Sequence, residues 1–346
     1  MHMADALISP AVGGTMWAAS AGLLGWCARK VRQAFDDKMI PMMGVLGAFI
    51  FAAQMINFSI PGTGSSGHLG GGMILAILLG PYAAFLVIAS VLTVQSFFFA
   101  DGGLLALGCN IFNLGFFPSF IAYPLIYKPI AGGARAGWRF WTGSMLAAVL
   151  GLQLGAFGVV IETTMSGVSD LPFKTFVLMM QPIHLAIGIV EGLVTAAVVA
   201  FVYKARPVAL LEPAAASAGS GNLRRVLIGL LLAVALIGGV LSWFASDNPD
   251  GLEWAMGKVS GKEELESPSA GIHKSLSRIQ ETTAFLPDYG FKSAETVVAV
   301  TEQVGIEHGK WPAVNPGTSV SGMVGGLITM VLAGLIGYGL KRRLAF

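Results

Sequence analysis

Charge is what this chain has least of. Asp, Glu, Lys and Arg make up 12% of its 346 residues, against about 25% in an ordinary soluble domain. With 55% hydrophobic residues, that excludes a soluble enzyme as the whole protein, and it excludes disorder. The two cysteines, Cys27 and Cys109, both lie in apolar stretches, so neither a disulfide framework nor a thiolate metal site is indicated. The 46 glycines follow no three-residue period, which rules out collagen; glycine is frequent in packed membrane helices. A net charge of +2 gives nucleic-acid binding no support. There is no Gly-x-x-x-x-Gly-Lys-Ser/Thr, no His-Glu-x-x-His and no Gly-x-Ser-x-Gly. ATP hydrolysis on a phosphate loop, zinc proteolysis of that type and an esterase elbow are therefore absent. Any energised transport must draw on partners or an ion gradient.

What the chain has instead is apolar sequence, with a mean hydropathy of +0.73. A bilayer core about 30 Å thick takes about 20 apolar residues per helix. Seven such segments come first, at 7–28, 40–58, 69–80, 82–99, 104–127, 138–161 and 176–203. The third is short and meets the fourth at Gly80-Pro81, which reads as a half-helix or a tight helical hairpin. Two more follow at 226–245 and 318–340. Lys and Arg gather in cytoplasmic loops. With nine spans and the N-terminus outside, the inner segments hold 14 of the 21 basic residues, from Arg29 to Arg343, and only the acids Asp36, Asp37 and Glu212. The outer segments hold the other seven basic residues and 15 of the 19 acids. The expected protein is all-α and integral to the membrane, with its C-terminus in the cytoplasm.

Residues 207–222, rich in Ala, Ser, Gly and Pro, read as a cytoplasmic linker. It divides a seven-span module, 1–206, from a two-span accessory module, 223–346. The second module carries a long polar insert on the outer side, about residues 246–317. The insert opens with Pro249-Asp250-Gly251-Leu252-Glu253-Trp254 and has helix-compatible patches around 260–266 and 273–283. No basic residue precedes Arg29, so the start does not read as a cleaved secretory signal. Met1 is expected to persist, because the bulky His2 disfavours its removal.

The five histidines are the first candidates for chemistry. His2, His68 and His184 fall toward the outer half of the first module, and His273 and His308 in the insert. A histidine at position two offers one ion three nitrogens: the Met1 α-amine, the His2 amide and the His2 imidazole. They close a five-membered and then a six-membered ring. Ni(II) and Cu(II) displace the amide proton readily and favour a planar set of four nitrogens. His68, in the charge-free loop Gly62–Gly70, can supply the fourth, and the loop glycines permit close backbone approach. The bland alternative is a solvated terminal His2 and a loop-polar His68. His184 and Glu191, seven residues apart on one helical face, compete between a hydrogen-bonded lock against a neighbouring span and a role near a ligand. Asp101 either orients a ligand imidazole or caps span five, and Asn110 and Asn113 follow in that span. Gln54, Asn57, Gln95 and Gln153 read as interhelical hydrogen-bonding groups, and the methionines as packing.

Four motifs then resemble a known family. They are Met1-His2 with Asp5 and Ser9-Pro10; the loop Ile60–Gly71; Phe99-Ala100-Asp101-Gly102-Gly103 through Asn110 and Asn113; and Pro182-Ile183-His184 through Glu191-Gly192. Together they look like the cobalt/nickel substrate-capture subunits of energy-coupling-factor transporters, the CbiM/NikM family, over residues 1–204. Pro249-Asp250-Gly251-Leu252-Glu253 resembles the family's small two-span accessory subunit, here fused behind the linker. The resemblance implies a seven-helix bundle holding one divalent ion through Met1, His2 and His68. Asp101, Asn110, Asn113, His184 and Glu191 would orient ligands or serve structure. It also implies a separate transmembrane coupling subunit, two cytoplasmic ATPases and residence in the cytoplasmic (inner) membrane. Nickel or cobalt is the transported ion, and the fused form leans toward nickel. Two departures are visible: Met3 and Ala6 replace the usual Ile and Gly, and Gly62-Thr63-Gly64-Ser65-Ser66-Gly67-His68 is slightly longer than the usual loop.

The expectation is thus a transporter subunit without enzymatic activity or resident cofactor. A stand-alone secondary transporter or channel for a divalent transition metal is the competing class, and a membrane metalloenzyme a third. Replacing His2 or His68 is expected to abolish metal binding, and His273→Ala to be nearly silent.

Overall fold

The computed structural model describes residues 2–34, 36–205, 220–268, 270–291 and 312–342. Met1, His308 and the linker as far as residue 219 therefore lie outside the described residues. In the first module, α1 spans Pro10–Gln33, α2 Met39–Gln54, α3 Gly72–Leu79 and α4 Pro81–Phe99. A short α5, Leu107–Ile111, runs into a π-helix, Phe112–Tyr127, and then α6, Lys128–Ala131. Helices α7, Gly137–Ser166, and α8, Phe173–Ala205, complete it. The accessory module contributes α9, Ser220–Gly239; α10, Gly251–Ser260; α11, Gly271–Thr283; and α12, Pro316–Arg342.

Helix is found in each of the nine apolar segments. Among the described residues, five runs are long and apolar enough to cross a membrane: α4, Leu107–Ala131, α7, α8 and α12. Helix α2 is apolar but shorter. Helix α3 has eight residues and covers about 12 Å at 1.5 Å per residue, too little to cross alone. The boundaries follow local chemistry. Ser9 caps α1 by accepting from the Val12 amide, with Pro10 at the first helical position, where its missing N–H costs nothing. Gly80, at φ +79°, breaks α3 from α4, and Pro81 starts the next helix. Pro118 and Pro124 sit inside the π-helix, where an ordinary α-ladder would lose two hydrogen bonds.

Helix α2 is buried continuously from Met42 to Gln54, which marks a central helix and not a lipid-facing one. It packs against α4, and also against α9 and α12 of the accessory module. The two modules therefore share one core. Helices α9 and α12 cross at Gly238 and Gly322, where an added Cβ would meet the opposite backbone; small residues permit such approach in membranes. On the outside, Leu146, Leu150, Leu178, Leu185, Ile189 and Leu193 of α7 and α8 are exposed, as a lipid-facing surface requires.

Two local expectations change. The loop around residues 58–67 is a β-hairpin, β1 (Phe58–Ile60) against β2 (Ser65–Gly67), with Ser59 opposite Ser66. Its turn depends on Gly62 and Gly64 at φ +78° and +71°. In the insert, the patch at 260–266 is not helical. Helix α10 starts earlier, because Asp250 and Glu253 form a reciprocal capping box that supplies the first-turn hydrogen bonds, and Gly261 at φ +77° ends it. The patch at 273–283 is α11, as expected.

Candidate metal-binding site

The N-terminal segment tucks inward against the stretch from Asp101 to Asn110. Met3 is fully buried and held on both sides by Asn110. Its amide donates to Asn110 Oδ1 at 2.8 Å, and its carbonyl accepts from Asn110 Nδ2 at 3.2 Å and from the Gly103 amide at 2.9 Å. Asp5 is buried too and accepts from the Ala106 amide at 3.0 Å. Burial raises the Asp5 carboxyl against the pull of that amide. Gly103 has no room for a side chain: a Cβ there would strike the Asp5 carboxylate and backbone. This anchoring carries His2 into the bundle.

His2 and His68 meet. Their rings stack at 4.9 Å between centroids, inclined by 30°. His2 Nδ1 donates to Asp101 Oδ1 at 2.7 Å, and Tyr289 of the insert donates its hydroxyl to Asp101 Oδ2. Burial alone would raise the Asp101 carboxyl. The His2 charge and these two hydrogen bonds hold it well below the usual carboxylate range. Asp101 therefore orients an imidazole and is not the cap of span five, since α5 has Ala106 at its N-cap with no side-chain bond. The six-membered chelate ring needs His2 Nδ1, the nitrogen that Asp101 takes here, while His2 Nε2 is buried without a hydrogen-bond partner.

His68 Nδ1 donates to the Leu69 carbonyl at 3.1 Å, so its Nε2 carries the lone pair. Burial holds this imidazole below its usual value. The chain after the ring is fixed by Glu191, whose two oxygens accept from the Gly70 and Gly71 amides at 3.1 and 3.0 Å. Gln54 adds a bond from its side-chain amide to the Gly70 carbonyl at 2.9 Å and accepts one from Gln95. His184 and Glu191 are not paired with each other. His184 Nδ1 donates to the Met180 carbonyl one turn earlier at 2.8 Å, and its buried Nε2 has no partner. A small cavity of about 10 Å³, room for one water-sized particle, lies between His68, His184, Leu114, Leu152 and the insert residues Asp250 and Gly251. Asn113 stands apart from these rings and donates to Glu162 at 2.7 Å.

Sequence reading missed two participants, Tyr289 and Asp250. Asp250 Oδ2 stands 3.7 Å from His68 Nε2. His273 is not incidental either; it is buried, and its Nε2 donates to the Ile8 carbonyl at 2.9 Å. The insert thus clasps the site from two sides. Among the described residues no three His, Cys, Asp or Glu side chains converge to hold a metal by themselves. A larger cavity, about 320 Å³, lies around Tyr123, Tyr127, Lys128 and Tyr203, and its lining holds no imidazole or carboxylate.

These features define a polytopic helical membrane protein that buries two stacked imidazoles, His2 and His68. Residues 2–209 match the family described as the cobalt uptake substrate-specific transmembrane region, CbiM, and residues 224–342 match the PDGLE domain. The chain belongs to the CbiM family and carries a PDGLE domain behind it. It is 30% identical over 312 residues to the fused nickel transport protein NikMN of Rhodobacter capsulatus, covering 84% of this chain and 88% of that one. A chain of Archaeoglobus fulgidus with a provisional name of the same kind is 32% identical over 341 residues, 96% of each. The cobalt transport protein CbiM of Sorangium cellulosum is 29% identical over 53% of this chain and 89% of that one. A crystal structure of a transition metal transporter, 31% identical, superposes with a TM-score of 0.52 over 59% of this chain and 93% of that one. The protein is a multi-pass membrane protein of a metal-uptake family.

Proposed function

We propose that this chain is the substrate-capture subunit of an ATP-driven importer of the energy-coupling-factor type, and that its cargo is Ni(II) or Co(II). The ion is held by the Met1 α-amine, the His2 amide and imidazole, and His68. A separate transmembrane coupling subunit and two cytoplasmic ATPases drive its release inward, since this chain has no phosphate-binding loop of its own. The protein sits in the cytoplasmic membrane with its N-terminus outside and its C-terminus in the cytoplasm, as the basic clusters at Arg29–Arg32 and Lys341–Arg343 favour. The observation that carries the reading is the stacked His2–His68 pair at 4.9 Å, with His2 held by Asp101. Nickel is favoured over cobalt because two relatives matched along 96% and 84% of this chain are named for nickel, and a planar nitrogen set suits Ni(II).

The test adds residues before Met1 in the full chain. Nickel binding is expected to collapse while membrane insertion is kept, because the starting amine is consumed in a peptide bond. His2→Ala and His68→Ala should each do the same. Tight binding preserved in the extended protein would refute the ligand set. Absorption and magnetic measurements on the loaded protein decide the metal, since a planar diamagnetic complex indicates Ni(II).

A further inference from the structure

We propose that the cavity of about 320 Å³ around Tyr123, Tyr127, Lys128 and Tyr203 binds the phosphate-bearing headgroup of an anionic phospholipid. The site goes beyond the preceding reading and holds whichever ion the histidines bind.

Two helices place this cavity at the end of the bundle remote from the histidines. Tyr123 and Tyr127 lie at the far end of the run Leu107–Ala131, whose start carries Asn110. Tyr203 lies 19 residues beyond His184 on α8, about 28 Å at 1.5 Å per residue. Trp138 and Trp141, in the first turns of α7, are exposed, and tryptophans so placed mark a membrane–water interface. Leu125, on the π-helix between the two tyrosines, is exposed as well, so the helix that walls the cavity also meets lipid.

The lining has an apolar part and a polar part. Ile77 and the rings of Tyr123, Tyr127 and Tyr203, all buried, form the apolar part. Lys128 supplies a positive charge. Its Nζ lies 5.0 Å from the centre of the Tyr123 ring, and among the described residues it has no carboxylate partner. Tyr123 is only 7% exposed, yet among the described residues its hydroxyl has no hydrogen-bond partner. A buried phenol ordinarily finds one, so this donor is left for a ligand. Arg135 stands over the Tyr203 ring at 5.9 Å, and from Lys128 to Trp141 the chain carries Lys128, Arg135 and Arg139 and no acid. A basic pocket between helices at a membrane surface takes acidic lipid headgroups. A cation is disfavoured there by Lys128, since no carboxylate lines the cavity. A bare phosphate would pair with Lys128 and leave Ile77 and the three rings uncovered. The glycerol and first acyl carbons of a lipid cover them.

The test measures lipid retention by the purified full chain in detergent, using native mass spectrometry, with phosphatidylglycerol and phosphatidylcholine supplied at equal concentration. Wild type, Lys128→Gln, Tyr123→Phe and a control from another basic cluster, Arg29→Gln, are compared. Wild type and Arg29→Gln are expected to prefer phosphatidylglycerol. Lys128→Gln should hold it about fivefold more weakly, the effect of one basic residue at an anionic membrane surface. Tyr123→Phe keeps the ring and should weaken retention about 2- to 12-fold. The rise in unfolding temperature that phosphatidylglycerol gives the wild type should shrink in both variants. If Lys128→Gln misfolds, Tyr123→Phe carries the comparison. Equal retention of the two lipids by wild type, or an equal loss in Arg29→Gln, overturns the proposal. Wild-type retention in either folded cavity variant overturns it too and leaves the cavity to a partner protein. Equal stabilisation by millimolar inorganic phosphate alone overturns the lipid assignment in favour of free phosphate. Failure of the nickel ligand set leaves all these expectations unchanged, because no histidine lines the cavity.

Discussion

Glu191 offers the sharpest test of how the His68 loop is held. It lies deep in α8 and is 3% exposed. Its carboxylate receives the amides of Gly70 and Gly71, the two residues after Leu69, at 3.1 and 3.0 Å. Glu191→Gln keeps one acceptor oxygen and turns an NH₂ group toward the other amide. One buried N–H is then left without an acceptor, at a cost of about 1–3 kcal/mol. If the loop must be ordered for His68 to reach the ion, that cost appears in affinity. At tenfold per 1.4 kcal/mol it amounts to about 5- to 150-fold. Glu191→Ala strands both amides and is expected to cost about 2–6 kcal/mol. The assay is a competition titration of Ni(II) against a chelator on the purified full chain, with thermal unfolding of the metal-free protein measured beside it. The ordered result is wild type tightest, then the Gln variant, then the Ala variant. Affinity within twofold of wild type for Glu191→Gln would show that the loop is held by something else.

Gly103→Ala drives a methyl into the Asp5 backbone and carboxylate. Overpacking of this kind costs about 1–3 kcal/mol, and because the strain falls on the N-terminal segment, nickel affinity is expected to drop about tenfold or more while the protein still inserts; equilibrium titration checks it. Tyr289→Phe removes the hydroxyl that bonds Asp101 and leaves the ring, which stacks on Phe99 at 5.1 Å. The loss of about 0.5–1.5 kcal/mol should weaken nickel binding by up to about tenfold without lowering the unfolding temperature much, and an unchanged affinity would remove Tyr289 from the chain that orients His2.

Tyr289 merits its place in that chain for a further reason. Among the described residues, the non-glycine residues with positive φ are Ala100, Asp288 and Tyr289, and all three adjoin the Asp101–Tyr289 contact. A bulky residue in the left-handed region is held there by its surroundings at a cost of about 1–3 kcal/mol. The backbone is bent on both sides of one hydrogen bond behind His2.

Much of the protein is legible in its sequence because the bilayer imposes a one-dimensional rule. Apolar length marks helices and basic clusters mark loops, and neither depends on which helix touches which. The chelate proposed for His2 needs no packing to be read, since it would be built from consecutive atoms of the chain. Pro249-Asp250-Gly251-Leu252-Glu253 announced a helix start, although it did not say against what. By contrast, the partners of those residues are distant in sequence. Asp101 is 99 residues from His2, Glu191 is 121 from Gly70, and Tyr289 is 188 from Asp101. Such pairings follow from how whole helices pack, which no local pattern encodes. The same packing sets the accessory helices against α2 and gives Glu191 to the loop in place of His184. The chain's own chemistry thus determined that it lives in a membrane and which nitrogens it can offer a metal. Only the tertiary structure decided which carboxylates orient those nitrogens, because side chains so far apart along the chain become neighbours through burial alone.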